Sequence, residues 1–259
     1  MSLKVTILGS GTSTGVPVLG CQCQICGSNS ERNMRLRASI MLEYDHGLRI
    51  VIDTGTDFRQ QMLRAKVSHL QYVLYTHLHA DHIHGFDDLR GFYFNGNQPI
   101  TCFLDADYAN ELKTRFHYAF ENTGYLGGRP DIRLTELPKD FGIFQVENCP
   151  IETMQLPHGN VLTNAFRFGS FAYATDFKSF PSDKRAKWRG KIDTMVASGL
   201  RWRDHKTHST IQETIDLFED LQVRRGIITH LNHEIDYDLD SKKLPGNVEL
   251  AFDGMQILI

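Results

Sequence analysis

The segment Thr76-His77-Leu78-His79-Ala80-Asp81-His82 constrains this 259-residue chain more than any other. It follows Tyr72–Tyr75, an apolar stretch that reads as a strand. In extended chain, residues two apart point to the same side, so His77 and His79 can converge on one ion. Asp81 and His82 fall where the chain turns towards helix, and can face a second ion nearby. Imidazole combined with carboxylate suits zinc, manganese or iron. The competing reading is a polar loop with accidental histidines. Four ligand-type residues within six positions argue against it.

More candidate ligands end short apolar segments elsewhere. His158 follows Met154-Gln155-Leu156-Pro157, Asp176 follows Phe171–Thr175, and His230 follows Ile227-Ile228-Thr229. Singly, each is an ordinary surface or hydrogen-bonded residue. Together with the first cluster they place a set of donors on one rim of a sheet. Asp53, in Val51-Ile52-Asp53-Thr54-Gly55, ends another such stretch. Spacing alone leaves it open between a strand-ending cap and a residue that orients a metal-bound imidazole.

Around these points the chain reads as alternating short strands and helices. Leu3–Leu8, Ile40–Tyr44, Leu48–Ile52, Ile151–Leu156, Ala165–Phe168, Phe171–Ala174, Met195–Ala197 and Gly226–Ile228 carry strand patterns, and Asp45-His46-Gly47 suits a hairpin turn. Helical spacing occurs at Phe58, Met62 and Leu63, at Tyr108, Leu112 and Phe116, and at Ile211, Ile215, Phe218 and Leu221. Ser209, with Gln212 three residues later, predicts a capping box for the last of these. No linker or repeat divides the chain, so residues 1–259 are expected to form one domain, an α/β fold of two sheets covered by helices.

Three of the five cysteines crowd into Cys21, Cys23 and Cys26. In a reducing compartment that spacing suggests a metal rather than a disulfide. A closed tetrahedral zinc site needs a fourth ligand, and His233 lies three residues beyond His230. The alternative is a cluster of free thiols. Cys102 and Cys149 stand alone and read as small core hydrophobes.

Composition removes several classes. With 41% hydrophobic and 23% charged residues, disordered, collagen-like and coiled-coil chains drop out. Lys plus Arg at 28 against Asp plus Glu at 31 gives a net charge of -3, which lacks the basic field of a dedicated nucleic-acid binder. No apolar run approaches the roughly 18 residues of a membrane helix. The apolar start stops at Gly9, too short for a secretory signal, so the expected location is cytoplasmic. Gly9-Ser10-Gly11-Thr12 lacks the Gly-Lys-Ser/Thr of a nucleotide P-loop.

His77-x-His79-x-Asp81-His82, followed in order by His158, Asp176 and His230, resembles the metallo-β-lactamase superfamily. The resemblance implies an αββα sandwich, two mixed sheets flanked by helices, with the site on one edge. It places His77, His79 and His158 on one metal, Asp81, His82 and His230 on the other, Asp176 between them, and Asp53 behind them as an orienting residue. Gly9 to Pro17 followed by the cysteine triplet, with His230-x-x-His233, is similar to the PhnP-type cyclic phosphodiesterases. That likeness implies a structural zinc on Cys21, Cys23, Cys26 and His233. It also implies that His208 faces substrate without binding metal, as proton donor or oxyanion stabiliser. Its competing reading is a staple or surface position before a helix.

The expected cofactors are two catalytic divalent metals, zinc or manganese, and one structural zinc. The expected activity is hydrolysis of a small cyclic or nucleotide-like phosphodiester by a metal-bridging hydroxide, with Asp81 and His208 in the catalytic set. Two divalent cations against Asp81, Asp176 and hydroxide leave a centre of about +1 by formal count, which favours an anionic diester. The expected partner is that small substrate, with no membrane, no extended nucleic-acid surface, and a homodimer left open. Rival activities are a tRNA 3′-end endonuclease, a PqqB-like cofactor-biosynthesis protein, a lactonase or thioesterase, and a non-catalytic metal-binding sensor. No extra basic, Gly/Pro-rich arm for gripping tRNA is apparent.

Overall fold

Two seven-stranded sheets organise the chain in a computed structural model that describes residues 2–96, 98–121 and 128–259. The first sheet holds β1 (Leu3–Gly9), β2 (Ser39–Tyr44), β3 (Arg49–Ile52), β4 (Tyr72–Leu74), β5 (Ile100–Leu104) and β6 (Ile132–Glu136). The second holds β7 (Phe141–Val146), β8 (Cys149–His158), β9 (Val161–Phe168), β10 (Phe171–Ala174), β11 (Thr194–Ser198), β12 (Arg225–Thr229) and β13 (Val248–Leu250). A last strand, β14 (Gln256–Leu258), returns to the first sheet beside β1. Strand orders are β14-β1-β2-β3-β4-β5-β6 and β13-β12-β11-β10-β9-β8-β7. Both sheets are mixed: β3 to β6 run parallel in one, and β10 to β13 in the other.

Eight α-helices accompany the strands among the described residues: α1 (Phe58–Arg64), α2 (Ala80–Ile83), α3 (Leu89–Gly96), α4 (Ala106–Arg115), α5 (His117–Phe120), α6 (Ser182–Trp188), α7 (Ile211–Asp220) and α8 (Tyr237–Ser241). Residue alternation explains the layering. Ile50 and Ile52 of β3 join Phe171 and Tyr173 of β10 and Ile227 of β12 in the core between the sheets. Their neighbours Val51, Ala172 and Ile228 point outward, onto the helical layers. Period-two strands that are apolar on both faces need cover on both faces, and the αββα sandwich supplies it. Among the described residues no helix is long and apolar enough to cross a membrane.

The predicted hairpin is present, with Leu42 opposite Ile50. The capping prediction is corrected by one residue. Thr210, not Ser209, caps α7: its hydroxyl accepts from the Glu213 backbone N–H, and the Glu213 carboxylate accepts from the Thr210 N–H. Ser209 is buried, with its hydroxyl donating to the Ser198 carbonyl at 2.7 Å. The anionic Glu213 makes a stronger partner for a helix N-terminus than the neutral Gln212. Strands β5, β6, β7, β13 and β14 are additional to the sequence expectations. The parallel strands of both sheets end on one edge, where ligands gather in open α/β sheets.

Candidate metal centre

Asp53 follows β3, His77 lies just beyond β4, His158 ends β8, Asp176 follows β10 and His230 follows β12. Their strand-end positions bring them together. Three of them have left-handed backbone: Asp53 at φ 66°, Asp176 at 54° and His230 at 61°. This region is uncommon for residues with a Cβ, though Asp and His are enriched in it. At each point the strand must stop and turn its side chain onto the shared rim. Such strain, of order 1–3 kcal/mol per residue, persists where surrounding structure enforces it.

The side chains converge in overlapping groups. His77, His79 and His158 place one donor atom each within 4.8 Å of one another, and so do Asp81, His82 and His230. Asp176 lies between these sets. One of its carboxylate oxygens is 3.1 Å from His82 Nε2, and the other is 3.1 Å from His230 Nε2 and 4.0 Å from His158 Nε2. All seven sequence candidates therefore meet at one place. His208 joins them more closely than the sequence suggested, with Nδ1 3.4 Å from Asp176.

The polar groups fit cations. His82 Nδ1 hydrogen-bonds Asp53 at 2.7 Å, so with an ionised Asp53 the ring proton sits on Nδ1 and the Nε2 lone pair faces the site. That lone pair is 3.1 Å from carboxylate oxygens of both Asp81 and Asp176, yet Nε2 makes no hydrogen bond among the described residues. His230 Nε2 is buried and unpaired in the same way. Lone pairs aimed at carboxylates repel unless a positive charge lies between them. Burial opposes an imidazolium at His82, but Asp81, Asp176 and Asp53 overcome it and hold its pKa well above the ordinary value, so Nε2 keeps a proton until a cation takes that proton's place. The pocket thus draws positive charge even from its own histidine. Burial pushes His77 well below its ordinary value, leaving a neutral ring whose Nε2 lies 2.9 Å from His79 Nδ1.

Behind the donors, other groups aim the rings. Asp53 also accepts from the Thr76 backbone N–H and hydroxyl, each at 2.8 Å. His158 Nδ1 bonds the Thr207 carbonyl at 2.9 Å, which leaves Nε2 toward the site. Thr76 and Thr207 escaped the sequence reading; only the place of Thr76 beside the histidine cluster could have flagged it. Asp53→Asn isolates the orienting role, because Asn tolerates the left-handed backbone and still accepts from Thr76. It should weaken metal affinity roughly 10–100-fold in a chelator competition with the fold intact. Unchanged affinity would reduce Asp53 to a strand-end cap.

A second donor group lies apart. Cys21, Cys23 and Cys26 surround His233 Nδ1 at 3.3, 3.6 and 3.6 Å. With zinc bonds of about 2.3 Å to sulfur and about 2.0–2.1 Å to nitrogen, a tetrahedral S–N edge is roughly 3.5 Å. The three S–N distances therefore match the edges of a tetrahedral zinc site. The Cys26 backbone N–H helps hold the Cys23 thiol down to about 6, within reach of thiolate at neutral pH. Cys102 and Cys149 are buried among apolar side chains, as expected.

Known proteins share this architecture. A family model described as a beta-lactamase superfamily domain matches residues 48–231. A crystal structure of a diphosphatase from the PhnP family superposes with a TM-score of 0.92 at 33% identity, covering 100% of this chain and 98% of that one. Zinc-bound PqqB from Methylobacterium extorquens superposes at 0.79 with 19% identity, covering 98% and 99%, a likeness of fold. An octanoyltransferase of Porphyromonas gingivalis is 32% identical over 99% of this chain and 52% of its own length. Ribonuclease Z of Bacillus thuringiensis is 25% identical over 58% of this chain and 44% of its own. The chain spans about half the length of the curated relatives it matches. With the family match over most of its length, two mixed sheets between helices and histidine–aspartate donors at their common edge, the chain belongs to the metallo-β-lactamase superfamily of hydrolases and is PhnP-like within it.

Proposed function

We propose that this chain is a dinuclear metal-dependent phosphodiesterase acting on a small cyclic or nucleotide-like diester. The observation that carries this reading is the buried Asp176 carboxylate shared between two donor sets, with the uncharged His208 beside it. His77, His79 and His158 would hold one cation, Asp81, His82 and His230 the other, and Asp176 both. Zinc and manganese suit this mixture of imidazole and carboxylate. When bound, two divalent cations supply a nucleophilic water at neutral pH and a charge clamp for phosphoryl oxygens. Cys21, Cys23, Cys26 and His233 would hold a structural zinc.

The chain's own contribution is orientation and proton transfer. Asp53 and the Thr207 carbonyl keep His82 and His158 aimed inward. Burial, then neighbouring His230, pushes the His208 imidazole down to about 3, so the free chain holds it neutral. An anionic diester acts in the opposite direction and raises it. Protonated in that complex, His208 would donate to the departing alkoxide. The PhnP-family diphosphatase likeness supports phosphoryl rather than acyl chemistry, and favours a diphosphate as the second reading.

His208→Ala tests this. It should slow diesters with poor alkoxide leaving groups roughly 10²–10⁴-fold. A nitrophenyl diester, whose leaving group needs no proton, should suffer far less, and both catalytic metals should remain. Equal losses on both substrates would make His208 a phosphate-positioning group. Loss of metal would make it a ligand. Turnover of lactones or thioesters in preference to every phosphate ester would overturn the phosphodiesterase reading itself.

A further inference from the structure

A row of imidazoles leads outward from the metal centre. His230 and His208 stack with centroids 5.0 Å apart, and His205 follows at 5.0 Å from His208. Exposure grows along the row: the His230 side chain is 1% exposed, that of His208 14%, and His205 stands partly exposed at the rim. His208 also lies 4.7 Å from the His158 ring, so it stands between the donors and His205.

His205 is held in one tautomer. Its Nδ1 accepts the Thr207 backbone N–H at 3.3 Å. A neutral ring that accepts at Nδ1 carries its proton on Nε2. Burial, then the nearby Arg201, lowers its pKa and keeps the ring neutral. Among the described residues no protein group receives a hydrogen bond from Nε2. The segment carrying His205 is clasped on several sides. Arg201 and Arg203 bond Glu234 at 2.9 and 2.7 Å, Lys178 bonds Asp204 at 2.9 Å, and the Thr207 carbonyl receives His158 Nδ1. A donor without a protein partner, on a segment this well tied, is preorganised for a ligand.

We propose that His205 is a specificity-determining residue whose Nε2–H binds an oxygen of the leaving group beyond the scissile oxygen, so that the site selects sugar-like over bare aryl leaving groups. This rests on the phosphodiesterase reading, with His208 at the leaving oxygen. His208 serves the breaking bond, and the next ring outward serves what lies attached to it. Lys178, Arg201 and Arg203 are already engaged by Asp204, Glu213 and Glu234, which leaves the His205 Nε2–H as an open neutral donor beside them.

The test compares the metal-loaded wild type, His205→Ala and His205→Gln on 2′,3′-cyclic AMP and on bis(p-nitrophenyl) phosphate. The aryl leaving group has no oxygen near the scissile one. His205→Ala should raise KM for the cyclic nucleotide about 3–10-fold, the worth of one hydrogen bond, with kcat little changed. Kinetics on the aryl diester and metal content should match wild type. Calorimetric affinity for the product adenosine 3′-monophosphate should fall by the same factor, and Gln, which retains a donor N–H, should recover most of it. Unchanged KM and product affinity in His205→Ala, equal losses on both substrates, or Gln no better than Ala would overturn the inference alone. A wild type that cleaves neither diester would overturn the phosphodiesterase reading and this inference with it.

Discussion

Asp176→Ala is expected to abolish most turnover and to loosen both cations of the proposed dinuclear centre, while the chain still folds. Asp176 faces His82 and His230 at 3.1 Å with different oxygens, so its loss removes negative charge from both donor sets at once. Burial alone would favour its neutral acid, but His230 and His82 hold its pKa well below the ordinary value. It is therefore ionised throughout the working pH range. Losing several kcal/mol of charge stabilisation corresponds to a rate fall on the order of 10³-fold. Alanine also sits poorly at φ 54°, so Asp176→Asn is the companion variant that tolerates the backbone but lacks the charge. Metal analysis and turnover on a nitrophenyl diester measure both effects. Two tightly held cations with normal turnover in either variant would remove Asp176 from its bridging position.

Cys23→Ser should act through stability instead. The cysteine segment has little apolar anchorage: Leu19 beside it is 97% exposed, and Cys26 is its buried member. A structural zinc site is worth about 10–16 kcal/mol in apparent binding free energy, so one ligand in four represents about 3 kcal/mol. For a chain of this size that lowers Tm by roughly 6–12 °C. Zinc should be held roughly 100-fold more weakly at that site, so a competing chelator that leaves the wild-type site filled should strip one ion per chain, and the specific activity of the remaining folded protein should stay close to wild type. Unchanged zinc stoichiometry and Tm would show that the thiols hold no metal.

The two sites are tied through a short stretch of backbone. Leu231 donates to the Ser10 carbonyl and accepts from Thr12, and Arg35 reaches the carbonyls of Asn232 and Ile235. His230 and His233 thus leave one braced segment in opposite service, one toward the catalytic edge and one toward the cysteines. The motif His230-x-x-His233 exposes this proximity in sequence because both histidines sit within one turn of chain.

Much of the site was legible because metal chemistry is carried by residue type. His77, His79, Asp81 and His82 are close in sequence, and His158, Asp176 and His230 each follow an apolar run, so strand ends and donors could be read together. The buried strands were legible for a similar reason: Phe171–Ala174 is apolar on both faces, and no exposed element tolerates that. Edge strands were not. Ile132–Glu136 is largely solvent-facing, and Gln256–Leu258 has three residues with one buried, so neither carries a pattern. Local sequence also misjudged the α7 cap, since Ser209 and Thr210 are equivalent hydroxyls until burial turns one inward to Ser198. Residue identity by itself determined which atoms could bind metal and that two covered sheets would carry them. The family resemblance implied where Asp53 and Asp176 stand, but only the tertiary structure decided that Asp53 answers His82 and Thr76, that Asp176 meets His82 and His230 with different oxygens, and that His205 lines up outside His208. Those choices depend on parallel strands from distant parts of the chain ending at one edge, and on left-handed turns that no propensity of Asp or His alone dictates.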